Sequence, residues 1–527
     1  METWWKDAVI YQIYPRSFKD TTGNGIGDLK GIISKIDYIA DLGVDAIWLS
    51  PIFTSPMQDM GYDVSNHRDI DPIFGNLKIF DQLIKKSHKN NIKVIIDQVL
   101  SHTSDQHPFF ILSRSNKTNP KKDWYVWADA KSDGSPPNNW LSIFGGSAWE
   151  WDTSRKQYYL HNFLKSQPDL NFHNKIVQKW VLSTIKFWLE KGVDGFRLDT
   201  ANYFFHDKKL RNNPALSNKK INSNPYYQQE LKYSINQKEN LIFMKALRKV
   251  TNRYKDIVMI GEIADPKVQA EYTSDNNKLH MAYSFELLRE NFSNTLIHNT
   301  VLDFFKNSKS GWPCWSFSNH DVPRHVSRWS NSKIHEHNFA KLTCAILLSL
   351  KGTPCLYQGE ELGQTQTEIE YDEIKDPPGK KFWPIDFGRD GCRTPMVWNN
   401  KEKNAGFSNC APWLPIKKQQ LKNAVEAQTN DKNSVLNFYK NFIAFRKKHA
   451  AFKEKLNFIK HKDLLIFSRG NKVKIVCIFN LNKYQVEVDN KFGYLAKDFP
   501  YSNVKINKEK IIIKRYGFGF FKSSEIS

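Results

Sequence analysis

Apolar positions along this chain follow two alternating patterns. Short continuous runs rich in β-branched and aromatic residues read as strands buried on both faces, and longer stretches with apolar residues three and four apart read as helices. The runs are AVIYQIYP (8–15), VDAIWLSP (44–51), IKVIIDQVL (92–100), VDGFRLDT (193–200), IVMIGEI (257–263), HMAYSFEL (280–287), CWSFSNHD (314–321) and TPCLYQGEEL (353–362). Between them lie helical patterns such as LKGIISKIDYIADLG and IVQKWVLSTIKFWLEKG, each closed by a glycine where a left-handed C-cap is needed. Strand and helix repeated eight times predict an α/β fold, a closed parallel (β/α)8 TIM barrel. The competitor, an open doubly wound sheet, would carry a glycine-rich phosphate loop after its first strand, and none follows here.

Breaks in that rhythm set the domain plan. Residues 1–101 and 172–455 form the two parts of the barrel. Residues 102–171, rich in Trp, Pro, Gly and Asn, form an excursion domain after strand three. Stretches 203–240 and 363–420 exceed ordinary connections and are expected as insertions on the same face. From 456 to 527 the pattern changes to alternating strands, DLLIFSRG, KVKIVCIFNL, YQVEV and KIIIKRYGFGFF, which predict a C-terminal antiparallel β domain, expected as a β-sandwich.

Composition changes this picture little. At 527 residues, 40% hydrophobic and 25% charged, the chain is an ordinary globular protein too long for one small core. Its start lacks a basic segment followed by an apolar run, and no stretch approaches a membrane span, so a cytoplasmic protein without a membrane partner is expected. The six cysteines form no CxxC pair, which argues against a disulfide scaffold or zinc knuckle. A net charge of +22 raises the question of nucleic acid, but the lysines are scattered along the chain, so a solvated basic surface is expected and no nucleic-acid partner.

Candidate chemistry gathers at strand ends. In GVDGFRLDTANYFF (192–205) an apolar run finishes with Arg197 and Asp199, which share a face because alternate strand residues do. Barrel enzymes carry their reactive groups at the carboxyl ends of strands. Those ends offer His102 after strand three, Arg197 and Asp199 on strand four, Glu262 on strand five, and His320 with Asp321 on strand seven. One Asp alone would read as a helix N-cap. Three carboxylates from three strands, with two histidines and an arginine, suit a retaining glycosidase, which needs two carboxyl groups about 5–5.5 Å apart. Arg197 favours ionised Asp199 as the nucleophile. Glu262 stands in an apolar run without a basic neighbour in sequence, so burial should raise its pKa for acid and base duty.

The motifs YQIYPRSF, GYDVSNH, DQVLSHTSDQH, QPDLN, GFRLDTAN, GEI, SNHD and GRDGCRTPMVW, in order along nearly the whole chain, resemble glycoside hydrolase family 13, in particular its oligo-1,6-glucosidases and maltase-like α-glucosidases. The resemblance implies Asp199 as nucleophile, Glu262 as acid/base and Asp321 as the carboxylate that holds sugar hydroxyls. It implies His102 and His320 as donors to glucose hydroxyls and Tyr62 as a stacking ring. Asp63 is similar to the carboxylate that pairs with an arginine of RDGCRTP to wall off the pocket, with Arg393 the first choice of partner and Arg389 the second. Phe144 and Phe163 are either pocket rings or plain packing. A walled pocket implies exo cleavage of short α-glucosides, with transglucosylation as a companion activity. QPDLN agrees with the oligo-1,6-glucosidases, whereas Thr200 stands where isomaltose-preferring members carry valine, so α-1,4 linkages are expected; Ser101 replaces the usual Asn. An isomaltase or sucrose-cleaving relative is the alternative within enzymes, and a non-catalytic binding or transporter-associated subunit is the alternative outside them. The loop DTTGNGIGD, through Asp20, Thr22, Asn24, Ile26 and Asp28, is similar to a structural Ca²⁺ or Mg²⁺ loop. No cofactor is expected for catalysis, and a monomer or small homo-oligomer is expected.

Overall fold

The computed structural model describes residues 3–217, 224–308, 310–330, 336–471, 473–496, 498–507 and 509–522. Each predicted run supplies a strand shorter than the apolar stretch around it: β1 (Ile10–Ile13), β2 (Ala46–Leu49), β3 (Lys93–Gln98), β4 (Gly195–Leu198), β5 (Val258–Glu262), β6 (Met281–Tyr283), β7 (Pro313–Trp315) and β8 (Thr353–Tyr357). They close into a barrel in which every neighbouring pair is parallel, β1 meeting both β2 and β8.

The two-residue period of these strands sorts their side chains into two cores. Ile10, Trp48, Ile95, Ile260, Tyr283 and Cys355 fill the barrel interior, while Leu49, Ile96, Phe196, Leu198 and Leu356 join the larger core under the helices. The helix Lys175–Glu190 shows how its sequence sets its bounds. Asn174 caps its start by accepting from the Ile176 N–H, one stripe buries Val177, Val181, Ile185 and Trp188, and Gly192 follows its end at φ +84°. The other predicted helix breaks into Leu29–Ser34 and Ile36–Leu42 around Lys35 and ends at Gly43, φ +87°.

One expectation about strands needs correction. The seventh ladder stops at Trp315, so SFSNHD is loop: Ser316 Oγ donates to the Ser318 carbonyl, and Asn319 Oδ1 accepts from the N–H groups of Asp321 and Val322. Short polar side chains there bond their own backbone instead of leaving it to the sheet. The six C-terminal strands of the described residues are hydrogen-bonded into one antiparallel sheet. Its long strand Lys510–Lys522 pairs over its first half with both Val486–Asp489 and Tyr501–Ile506, and a bulge between Ser502 and Val504 bends the pairing. One face of that sheet stacks Phe518 and Phe520 on Phe438, Phe442 and Phe445 of the helix Val435–Lys448.

The 102–171 segment holds a three-stranded antiparallel sheet, Trp127–Ala128, Trp149–Asp152 and Gln157–Leu160, over its own cluster of Val126, Trp140, Trp149 and Leu160. Among the described residues no helix is long and apolar enough to cross a membrane.

Candidate active site

Barrel register builds the centre of the site. Arg197 on β4 lies opposite Asp97 on β3 and Ile260 on β5, so Asp199, just past β4, and Glu262, at the end of β5, rise on either side of its guanidinium. Arg197 Nη1 donates to Asp97 Oδ1 at 2.9 Å and to Asp199 Oδ1 at 2.6 Å, while Nη2 meets Glu262 Oε1 at 2.6 Å. With Arg197 only 1% exposed, one buried cation balances three carboxylates and sets two of them a guanidinium's width apart. Nothing basic adjoins Glu262 in sequence, but the neighbouring strand delivers a basic partner. Burial remains the stronger influence and raises the Glu262 carboxyl well above the ordinary range, with Arg197 opposing it and Asp199 and Asp321 adding to it.

Thr200 follows Asp199 in the left-handed region, φ +42°, a costly conformation for a β-branched residue. This turn aims its N–H at Glu262 Oε2, 2.8 Å away, and sets its hydroxyl 2.9 Å from Ser101 Oγ, which in turn contacts His102 Nδ1 at 2.9 Å. His102 Nε2 lies 3.0 Å from the Tyr62 carbonyl. The Tyr62 hydroxyl meets His320 Nε2 at 2.5 Å, and Gln12 Nε2 holds His320 Nδ1 at 2.8 Å. Burial brings His320 down to about 3, so at neutral pH it is uncharged.

Asp321 sits between two arginines, with Oδ1 3.3 Å from Arg389 Nη1 and 3.1 Å from Arg393 Nη2. Burial works to raise its pKa, but the surrounding positive charge wins and holds it well below the ordinary range; with His320 neutral, that charge is the arginines'. Arg389 also reaches Asp59 Oδ1 at 2.8 Å and Asp376 Oδ1 at 2.6 Å. Here an expectation fails. Among the described residues Asp63 meets no arginine: its carboxylate accepts from Ser55 Oγ and from the N–H groups of Gln58 and Asp59 at 2.8–3.0 Å, so it pins the 55–63 turn, as its short spacing to those donors dictates. Asp59 is the carboxylate that the turn presents, and its ion pair is with Arg389. Arg393 lies behind, fully buried, with Nε donating to the His320 carbonyl at 2.7 Å.

Asp199, Glu262, Asp321, Tyr62, His102, His320, Thr200, Arg389, Phe144 and Phe163 all line one cavity of about 1220 Å³; Arg197, Arg393 and Asp63 support it from behind. Phe163 packs against His102 at 5.1 Å, and Phe144 lies 5.3 Å from the Arg389 guanidinium. Both rings are thus pocket walls. Sequence reasoning missed Asp59, Asp97 and Gln167, whose Nε2 donates to Asp59 Oδ2 at 3.1 Å. A lone carboxylate inside the apolar IKVIIDQVL run was a signal for Asp97; Asp59 lies four residues before Asp63, and only the fold of the turn separates them.

The 20–28 loop is organised by hydrogen bonds. Asp20 accepts from the N–H groups of Thr22, Gly23 and Gly25 at 2.8–2.9 Å and from Ser408 Oγ at 2.6 Å, which fills its lone pairs. Asp28 accepts from Thr21 N–H and from Gly31 N–H, the latter as the N-cap of Leu29–Ser34, and Asn24 Oδ1 accepts from Ile26 N–H. Asp20, Thr22, Asn24, Ile26 and Asp28 are thus each tied into the loop's own hydrogen-bond network. Among the described residues no group of three or more His, Cys, Asp or Glu side chains is placed to hold a metal.

Comparison with known proteins agrees with the architecture. The family model described as alpha amylase, catalytic domain, matches residues 12–455. A probable alpha-glucosidase of Rhizobium meliloti is 52% identical over 494 residues, covering 91% of this chain and 89% of that protein. An oligo-1,6-glucosidase of Parageobacillus thermoglucosidasius is 39% identical over 479 residues, covering 85% and 84%. A crystal structure of an alpha-glucosyl transfer enzyme matches with a TM-score of 0.95 at 45% identity, over 99% of this chain and 100% of that one.

Proposed function

The chain belongs to glycoside hydrolase family 13, on its α-glucosidase and oligo-1,6-glucosidase branch, and from that premise we propose an exo-acting enzyme that releases terminal glucose from short α-glucosides, α-1,4-linked ones first, and also transfers glucose to acceptor alcohols. It is a retaining glycoside hydrolase, as the family is. The observation that carries the finer reading is the single guanidinium of Arg197 between Asp199 and Glu262, both facing one cavity.

In the proposed sequence Asp199 attacks the anomeric carbon as the bond to the leaving oxygen breaks, and the proton of Glu262 passes to that oxygen. A β-glucosyl ester of Asp199 results. Glu262, now a carboxylate, takes a proton from water or an acceptor hydroxyl, whose oxygen attacks the same carbon and frees Asp199, so α configuration is kept. Ionised Asp321 and neutral His320 are assigned to the glucose hydroxyls.

The ion pair of Asp59 with Arg389, two lining residues far apart in sequence, supports a walled pocket and hence attack at a chain end. Thr200 supports the α-1,4 preference, and the solved alpha-glucosyl transfer enzyme supports transfer. Release of p-nitrophenol from its α-glucoside tests the reading. Glu262→Gln should lose most activity on maltose yet regain part of it with azide on aryl substrates, whose leaving groups need no acid. Folded protein with no turnover would favour a binding subunit instead.

A further inference from the structure

The outer half of the cavity has a chemistry that a terminal glucose does not use. Ile385 and Phe387 of the 363–420 insertion line it while 74% and 58% exposed, in a chain that buries most of its large apolar side chains. Trp383 sits edge-on to Phe387 at 4.9 Å, and Tyr227 of the 203–240 insertion faces the same space. Exposed rings gathered at a cavity mouth are surface left for an apolar ligand.

The same rim bears Glu368, Glu370 and Asp386, all exposed and none in an ion pair among the described residues. Two nearby cations have partners of their own. Lys381 donates to the Gly145 carbonyl at 2.6 Å, and Arg389 is held by Asp376, Asp59 and Asp321. Over the described lining, Glu290, Glu368, Glu370 and Asp386 are exposed carboxylates without an ion pair among the described residues, whereas Asp59, Asp199, Glu262 and Asp321 on the floor are met by Arg197, Arg389 and Arg393; this acidic mouth stands out in a chain that carries +22. Charge of one sign inside low-dielectric walls focuses its field on whatever enters.

We propose that the aglycone side of this cavity selects an aromatic group without negative charge, a cationic one most strongly, and turns away anionic α-glucosides such as sugar phosphates. The rings supply stacking and cation–π contact, and the rim carboxylates supply the charge preference. This inference rests on the glucosidase reading above.

Three aryl α-glucosides with matched leaving groups test it, bearing para aminomethyl, hydroxymethyl or carboxymethyl substituents, with maltose alongside. KM should rise in that order, the amine and the carboxylate differing by about tenfold or more at low salt and by much less at about 0.5 M salt. The double variant Glu368→Gln, Glu370→Gln should narrow that ratio several-fold. Phe387→Ala should raise KM for all three aryl substrates more than for maltose. Equal KM values for amine and carboxylate, or preference for the carboxylate, overturn the proposal alone, because the neutral glucoside is still cleaved. Failure to cleave any of the four overturns the glucosidase reading and this one with it.

Discussion

The floor and the mouth of the cavity handle charge in opposite ways. On the floor, Asp97, Asp199 and Glu262 are buried around one guanidinium, and Asp321 lies between two more. At the mouth, Glu368, Glu370 and Asp386 are exposed. A buried charge must have a partner with near-ideal geometry, because removing that partner leaves an uncompensated ion that costs about 3–5 kcal/mol. An exposed charge needs none, since water solvates it. The floor is therefore rigid and defines the reaction, whereas the mouth acts through a salt-sensitive field and defines which substrates arrive.

Breaking the floor should give the larger effects. Arg197→Lys keeps the charge but replaces a planar fork by one ammonium, which cannot hold Asp199 and Glu262 together. Activity should fall by about 10²–10³-fold, the scale of lost positioning, with loss in kcat rather than KM; near-normal kcat would mean that the carboxylates hold themselves.

The next contrast is between two carboxylates of one turn. Asp59→Asn weakens the tie to Arg389, so kcat/KM should fall by about 10–100-fold with little change in melting temperature. Asp63→Asn should do the reverse, leaving kcat/KM within a few-fold while lowering Tm, because its oxygens serve backbone donors. The opposite pattern would return the pocket-wall role to Asp63. A smaller change is expected from Thr200→Val, which should move the maltose to isomaltose rate ratio several-fold towards isomaltose; an unchanged ratio would put selectivity in the 203–240 insertion.

The smallest effect is on stability. Glu360, past the end of β8, is a buried carboxyl without an ion pair among the described residues, and burial raises it to about 8. The unfolded chain releases that proton near 4.3, so between about pH 4.5 and 8 the folded state binds the extra proton and stability falls as pH rises. Glu360→Gln should remove part of that fall, raising Tm at pH 8 relative to pH 5 by roughly 2–4 °C. An unchanged slope would mean that Glu360 is ionised in the folded state.

How much of this was legible follows the same division. Residues on or just beyond ladders, Arg197, Asp199 and Glu262, were readable because a parallel barrel fixes both face and height of each strand end. Asp97 lay in plain view within a strand but looked like an isolated charge until β4 placed Arg197 opposite it. Asp59 and Arg389 come from loops, where no period assigns direction, so sequence chose the wrong member of each pair, Asp63 and Arg393. In the 20–28 loop the alternating oxygens were legible, but not the backbone N–H groups and helix cap that they serve. In the C-terminal region strand alternation predicted antiparallel pairing but not the bulge between Ser502 and Val504.

The central claim is that Asp199 and Glu262 act in turn on one anomeric carbon across Arg197. Trapping with 5-fluoro-α-glucosyl fluoride tests it directly, because the slowed second step lets the glucosyl ester accumulate. The account predicts one fluoroglucosyl unit per chain by intact mass, located on the peptide that contains Asp199 and absent from Asp199→Asn. A label on Glu262 or Asp321, or an unlabelled enzyme that still turns the reagent over by inversion, would contradict it.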